Sequence, residues 1–120
     1  METKKYDLED RLVKFACMCL DVCELLPATK AGHNLEYQLS KSGTAPALLY
    51  EEAQAAESRA DFIHKMKIAL KELRESRINL RIIKEKPIIT HEKINIVFKE
   101  VNELIAIFTS SIETTKRNLK

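Results

Sequence analysis

Residues 58–87 read SRADFIHKMKIALKELRESRINLRIIKEKP, and this stretch decides the fold. Phe62, Met66, Ala69, Leu73, Ser76, Leu80 and Ile83 recur at alternating spacings of four and three. That period lays one stripe along one face of an α-helix, with Ser76 as its single polar member. Ser58 and Asp61 occupy the two positions of a capping box, with Asp in place of Glu, so the helix opens there. Pro87 stops it, because proline lacks the N–H that the next helical turn needs.

The same stripe reappears on both sides. Upstream, Leu8, Leu12, Phe15, Cys19, Val22 and Leu26 predict a helix over about 7–26, with Asp7 as its N-cap. Pro27 to His33, with Gly32 inside it, reads as a loop. From about Asn34 to Ala53 the stripe is Leu35, Leu39, Ser42, Pro46, Leu49 and Ala53. Gly43 and Pro46 both penalise a helix interior, which predicts a helix 2 kinked near Gly43/Pro46, or two short helices. Downstream, a fourth helix is expected from Thr90, with Ile89 and Ile94 as a hydrophobic staple. Its seam is Ile94, Phe98, Val101, Ile105, Phe108, Ile112, Thr115 and Leu119. Connections this short make consecutive helices antiparallel. The expected fold is all-α: a single domain over residues 1–120, an up-down-up-down four-helix bundle, with a two-hairpin dimer as the alternative topology.

Composition agrees. The chain has 120 residues, enough for one core, and only two Gly and three Pro, too little turn chemistry for a many-stranded β fold. No apolar run approaches a membrane span, and Met1-Glu-Thr-Lys-Lys leads into no signal-peptide core, so the expected compartment is the cytoplasm, with no membrane partner. Three Cys is an odd number for a disulfide framework.

Catalytic and metal chemistry find no constellation. Cys19 and Cys23 share a helix face while Cys17 points nearly opposite, so the three cannot converge on one ion. His33, His64 and His91 are dispersed, and neither an E-x-x-H pair, a glycine-rich phosphate loop nor a nucleophile elbow occurs. The expectation is a protein without catalytic residues, metal site or cofactor.

Two sets of residues are left over. Ile68, Ile78 and Ile82 fall roughly opposite the helix 3 seam, and Ile96 and Ile107 lie behind the helix 4 seam. Together these isoleucines are the expected interface between copies of the chain. Charge is also uneven: residues 59–86 carry nine Lys/Arg against four Asp/Glu, whereas residues 1–58 carry six against ten. Lys67, Lys71, Arg74, Arg77, Arg81 and Lys84 on helix 3 are therefore candidate phosphate contacts for RNA or DNA. The plainer alternative is a solvated, internally paired helix face on a module that docks another protein.

The middle of the chain carries a resemblance. Ser42-Gly43-Thr44, Pro46-Ala47-Leu48, Tyr50, Glu52-Ala53-Gln54 and the run Ala56-Glu57-Ser58-Arg59-Ala60-Asp61-Phe62-Ile63-His64-Lys65-Met66 lead into Lys71-Glu72-Leu73-Arg74-Glu75. This resembles the bacterial four-helix-bundle proteins named for open reading frames in 23S ribosomal RNA intervening sequences. It is also similar to the accessory protein of diversity-generating retroelements. The resemblance implies a homopentameric ring and an association with nucleic acid; no biochemical activity follows from it. Where the family pattern has Ser, Asn and Gly, this chain has Ala45, Leu49 and Glu51. Glu52, Arg59 and Asp61 are expected to form a structural corner that caps helix ends or pairs across the turn.

Overall fold

A computed structural model describes residues 7–118. Four helices follow in order: α1 Leu8–Leu25, α2 Lys30–Gln54, α3 Arg59–Glu85 and α4 Glu92–Arg117. Each packs on its neighbour in sequence, and α1 closes on α4, so one chain completes an up-down-up-down four-helix bundle. The two-hairpin dimer is not needed to complete the core.

The caps sit where side-chain oxygens can meet free backbone N–H groups. Asp7 accepts from the Asp10 N–H, and Ser58 accepts from the Asp61 N–H, each at 3.0 Å. Two starts differ from expectation. Helix α2 begins at Lys30 instead of Asn34, because the Thr29 hydroxyl accepts the Gly32 N–H at 3.0 Å. Gly32 then belongs to the first turn, and a Cβ there would lie 1.9 Å from the Pro27 carbonyl oxygen. Helix α4 is capped by His91, whose Nδ1 accepts the Lys93 N–H at 3.0 Å, one residue later than expected. Ile89 and Ile94 therefore fall out of staple register, although Ile94 is buried.

Helix α2 does not divide at Gly43 and Pro46. Both residues are buried, and tertiary packing outweighs their local penalties. At Gly43 α1 and α2 approach closely: an added Cβ would lie 2.6 Å from Cys19 Cβ and 2.7 Å from its Sγ.

The core is the union of the four stripes. Leu12, Phe15, Cys19 and Val22 of α1 meet Leu39 of α2, Leu73, Leu80 and Ile83 of α3, and Val97, Val101, Leu104 and Phe108 of α4, all fully buried. On α3 the seam is as expected except at its start, where Ile63 is buried and Phe62 is half-buried. On α4 the buried stripe is wider than the heptad seam, taking in Val97 and Leu104. Leu49 is half-buried and packs against this core. Leu119 lies outside the described residues.

One polar cluster interrupts the apolar interior. The Ser76 hydroxyl donates to Ser42 Oγ at 2.9 Å, and Asn79 Nδ2 donates to the same oxygen at 3.3 Å. Both serines are buried, so this contact satisfies groups that would otherwise be stranded and fixes the register of α2 on α3.

Candidate nucleic-acid interface

Outside the core, α3 turns a charged face to solvent. Lys67, Lys71, Arg74 and Arg81 are all exposed on it. Lys71 pairs with Glu75 at 3.9 Å and Arg81 with Glu85, both one turn on. Lys67 and Arg74 make no ion pair among the described residues.

The six expected phosphate contacts do not form a single line. Arg77 is half-buried and reaches α4, with Nη1 3.4 Å from Asn102 Oδ1. Lys84 lies over the Phe98 ring, Nζ 4.8 Å from its centroid. These two reach toward α4, although Lys84 stays exposed, and the other four lie on the outer face.

Lys67, Lys71 and Arg74 line an open groove of about 690 Å³ together with Gln38 of α2, Glu75, Ile78 and Asn79. A smaller depression of about 430 Å³ continues along α3, bounded by Ile78, Arg81, Ile82, Glu85 and Lys86. Among the described residues no aromatic side chain lines either one. From Lys67 to Arg81 the stripe is about 21 Å long at 1.5 Å per residue.

The five isoleucines also separate. Ile78 and Ile82 are 49% and 45% exposed and lie within the basic face, interleaved with its cations. Ile68 is half-buried. Ile96, 52% exposed, and Ile107, half-buried, are elsewhere. At about 100° per residue they project on the side of Glu100 and Glu103, not that of Phe98 and Asn102. Glu100 and Glu103 both take hydrogen bonds from Arg11 Nη2, at 2.8 and 3.0 Å, so Ile96 and Ile107 flank α1. Lys93 to Asp21, at 3.2 Å, bridges the same α1–α4 edge. The expected single interface is thus two patches on different sides of the molecule.

Glu72 stands behind the groove, half-buried between α2 and α3. One of its carboxylate oxygens is buried without a hydrogen-bond partner among the described residues. Desolvation raises its pKa, Glu75 raises it further, and Lys71 and Lys41 pull the other way.

At the opposite end, the corner residues do structural work. Lys65 Nζ meets Glu52 Oε1 at 3.0 Å, joining α2 to α3. Arg59 Nη1 donates to the Asn118 carbonyl oxygen, placing a cation on the C-terminal end of α4, where the helix dipole is negative. Asp61 sits in the first turn of α3, the favourable end for an anion.

Cys17 is exposed, whereas Cys19 and Cys23 are buried. Burial pushes the Cys19 thiol well above its ordinary value. Cys23 is pushed up to about 11, by burial first and then by the charges of Glu36 and Glu24. Thiols held protonated in this way are inert core atoms. Among the described residues no group of three His, Cys, Asp or Glu side chains gathers around a common point. No helix there is long and apolar enough to cross a membrane.

Gln38, Glu75 and Asn79 of the groove carry no sequence signal that marks them as its lining. Gln38 comes from another helix, and only the register set by Ser42 and Ser76 brings it beside Lys67.

Comparison with known proteins bears on the whole bundle. The family model of the 23S rRNA-intervening sequence proteins matches residues 4–110, and the chain belongs to that family. A crystal structure of a protein of unknown function from the S23 ribosomal protein family of Bacteroides thetaiotaomicron VPI-5482 is similar, at 30% sequence identity and a TM-score of 0.80. The match covers 87% of this chain and 96% of that one. No curated protein matches.

Proposed function

We propose that this family member is a non-enzymatic, homo-oligomeric helical scaffold that contacts nucleic acid through the outer face of α3. The observation that carries the reading is the groove in which Lys67, Lys71 and Arg74 converge from successive turns of one helix, two of them without a carboxylate partner among the described residues. Cations arranged this way neutralise phosphates irrespective of base sequence. The groove has no aromatic lining among the described residues, so base stacking contributes nothing to this mode.

Self-association uses the isoleucines. Ile78 and Ile82 form one patch and Ile96 with Ile107 another, and two unlike patches on one subunit suit a head-to-tail contact that closes into a ring. A pentameric ring, and kinship with the accessory protein of diversity-generating retroelements, are part of this proposal on the strength of the motif around residues 42–75.

The test is the salt dependence of binding. Each duplex phosphate neutralised contributes about −0.9 to the slope of log K against log salt. Replacing Lys71, Arg74 and Arg81 together with Gln should flatten the slope by about two to three units while leaving the bundle folded. An unchanged slope in that variant overturns the assignment.

A second reading rests on Ile78 and Ile82 lying among the Arg81–Glu85 pair, the mixed apolar and charged lining of a protein-docking surface. It predicts a stable oligomer that ignores nucleic acid at low salt and binds another polypeptide instead.

A further inference from the structure

Resting on the phosphate-binding reading above, we propose that the α2–α3 groove selects RNA over DNA by accepting hydrogen bonds from ribose 2′-hydroxyls at Asn79, Gln38 and Glu75. A surface built only for phosphates would present donors alone. This groove sets three acceptor-bearing side chains among its three cations.

Asn79 is the best-defined of the three. Its Nδ2 donates to Ser42 Oγ, which is itself held by the buried Ser76 hydroxyl. The amide is thus anchored from below, and its Oδ1 makes no hydrogen bond among the described residues. Gln38 brings a second amide from the facing helix. Glu75 is a carboxylate in a place meant for anions, compensated by Lys71 at 3.9 Å.

The ligand that satisfies this lining must carry both negative charge and hydroxyl donors along its backbone. A ribose–phosphate strand does, and the 2′-hydroxyl is the group by which proteins distinguish RNA from DNA. A deoxyribose strand would meet Lys67, Lys71 and Arg74 equally well. It would, however, leave the Asn79 oxygen desolvated and unpaired, which disfavours binding.

The experiment uses the full chain and three hairpins of one sequence: RNA, DNA and fully 2′-fluoro RNA, which keeps the A-form shape but has no hydroxyl to donate. Affinities are measured by fluorescence anisotropy at 75 mM salt (low enough for phosphate contacts to register). RNA is expected to bind about 10-fold tighter than either of the others, the equivalent of one or two net hydrogen bonds. Asn79→Leu and, separately, the exposed Gln38→Leu should each reduce that ratio, by weakening RNA binding or strengthening DNA binding, with the salt slope unchanged. Gln38→Leu guards against Asn79→Leu acting through loss of its bond to Ser42. Equal, salt-sensitive affinity for RNA and DNA overturns hydroxyl selection and leaves the phosphate surface standing. Tight binding of the 2′-fluoro hairpin, equal to RNA, overturns it in favour of helix shape. Failure of all three to bind at 75 mM salt overturns both readings together.

Discussion

Helix α3 has two long faces, and they are built by different rules. On the inner face, Met66, Ala69, Leu73, Ser76, Leu80 and Ile83 are each buried, and even the hydroxyl of Ser76 has its partner. On the outer face, isoleucines stand about half exposed beside cations whose pairings, where present, are one-turn contacts on the same helix. Such solvent-exposed pairs contribute little to stability. The inner face is therefore specified by the fold, whereas almost nothing in the fold requires the outer one. Residues that stability does not explain are the ones to test for binding.

The comparison can be broken hardest at the inner seam. Gly43→Ala drives a methyl group into Cys19, and overpacking a site that tight should cost about 2–3 kcal/mol, read as a drop of about 10 °C in thermal unfolding. Little or no loss would mean that α1 and α2 are not in close contact there.

Ser42→Ala comes next. It strands the Ser76 hydroxyl and the Asn79 amide together, so a loss of about 2 kcal/mol is expected in urea unfolding. Ser76→Ala should cost less, about 1 kcal/mol, since Ser42 keeps Asn79. A double-mutant cycle in which the two losses simply add would refute their coupling.

On the outer face the same measurements should barely move. Ile78→Ser, or the triple Lys71, Arg74 and Arg81 to Gln, should stay within about 0.5 kcal/mol of the parent in unfolding. Ile78→Ser should nevertheless shift the oligomer toward monomer in light scattering. A large loss of stability in either variant would erase the distinction between the two faces.

Glu72 lies on the boundary and sharpens it most finely. Its pKa is raised in the folded state, so its ionised form opposes folding at neutral pH. Glu72→Gln should therefore stabilise slightly at pH 7, by about 0.5 kcal/mol or less. That advantage should shrink as the pH falls through the folded-state pKa and vanish below the ordinary glutamate value of about 4.3. An advantage that grew toward acid pH would contradict the sign.

Much of this was legible in the sequence, for a physical reason. The four stripes follow from helical period alone, and Asp7 and Ser58 announced their caps because the caps are local. The start of α2 was not legible: Pro27, Gly32 and His33 look like loop residues until Thr29 is seen to cap Gly32. For α2 the sequence left one kinked helix and two short ones both open, since the compensation for proline and glycine comes from burial against other helices. Ser76 stood out as the polar member of its seam, but its partner lies 34 residues away, and finding it needed the interhelical register. The same limit explains the isoleucines. Periodicity placed each one behind its own seam, but it could not tell that Ile78 and Ile82 share a groove with the α3 cations while the equally exposed Ile96 stands apart from them. Nor could it tell that Arg77 and Lys84 reach toward Asn102 and Phe98 of α4.

The most direct test of the central claim is the salt titration of a structured RNA against wild type and the Lys71, Arg74 and Arg81 to Gln variant, from 50 to 300 mM (roughly the range over which phosphate contacts are lost), with light scattering on the same samples. The account predicts an oligomer whose affinity falls steeply with salt, and a variant of equal helicity whose slope is shallower by about two to three units. Two superimposable slopes, or no binding by wild type at 50 mM, would contradict it.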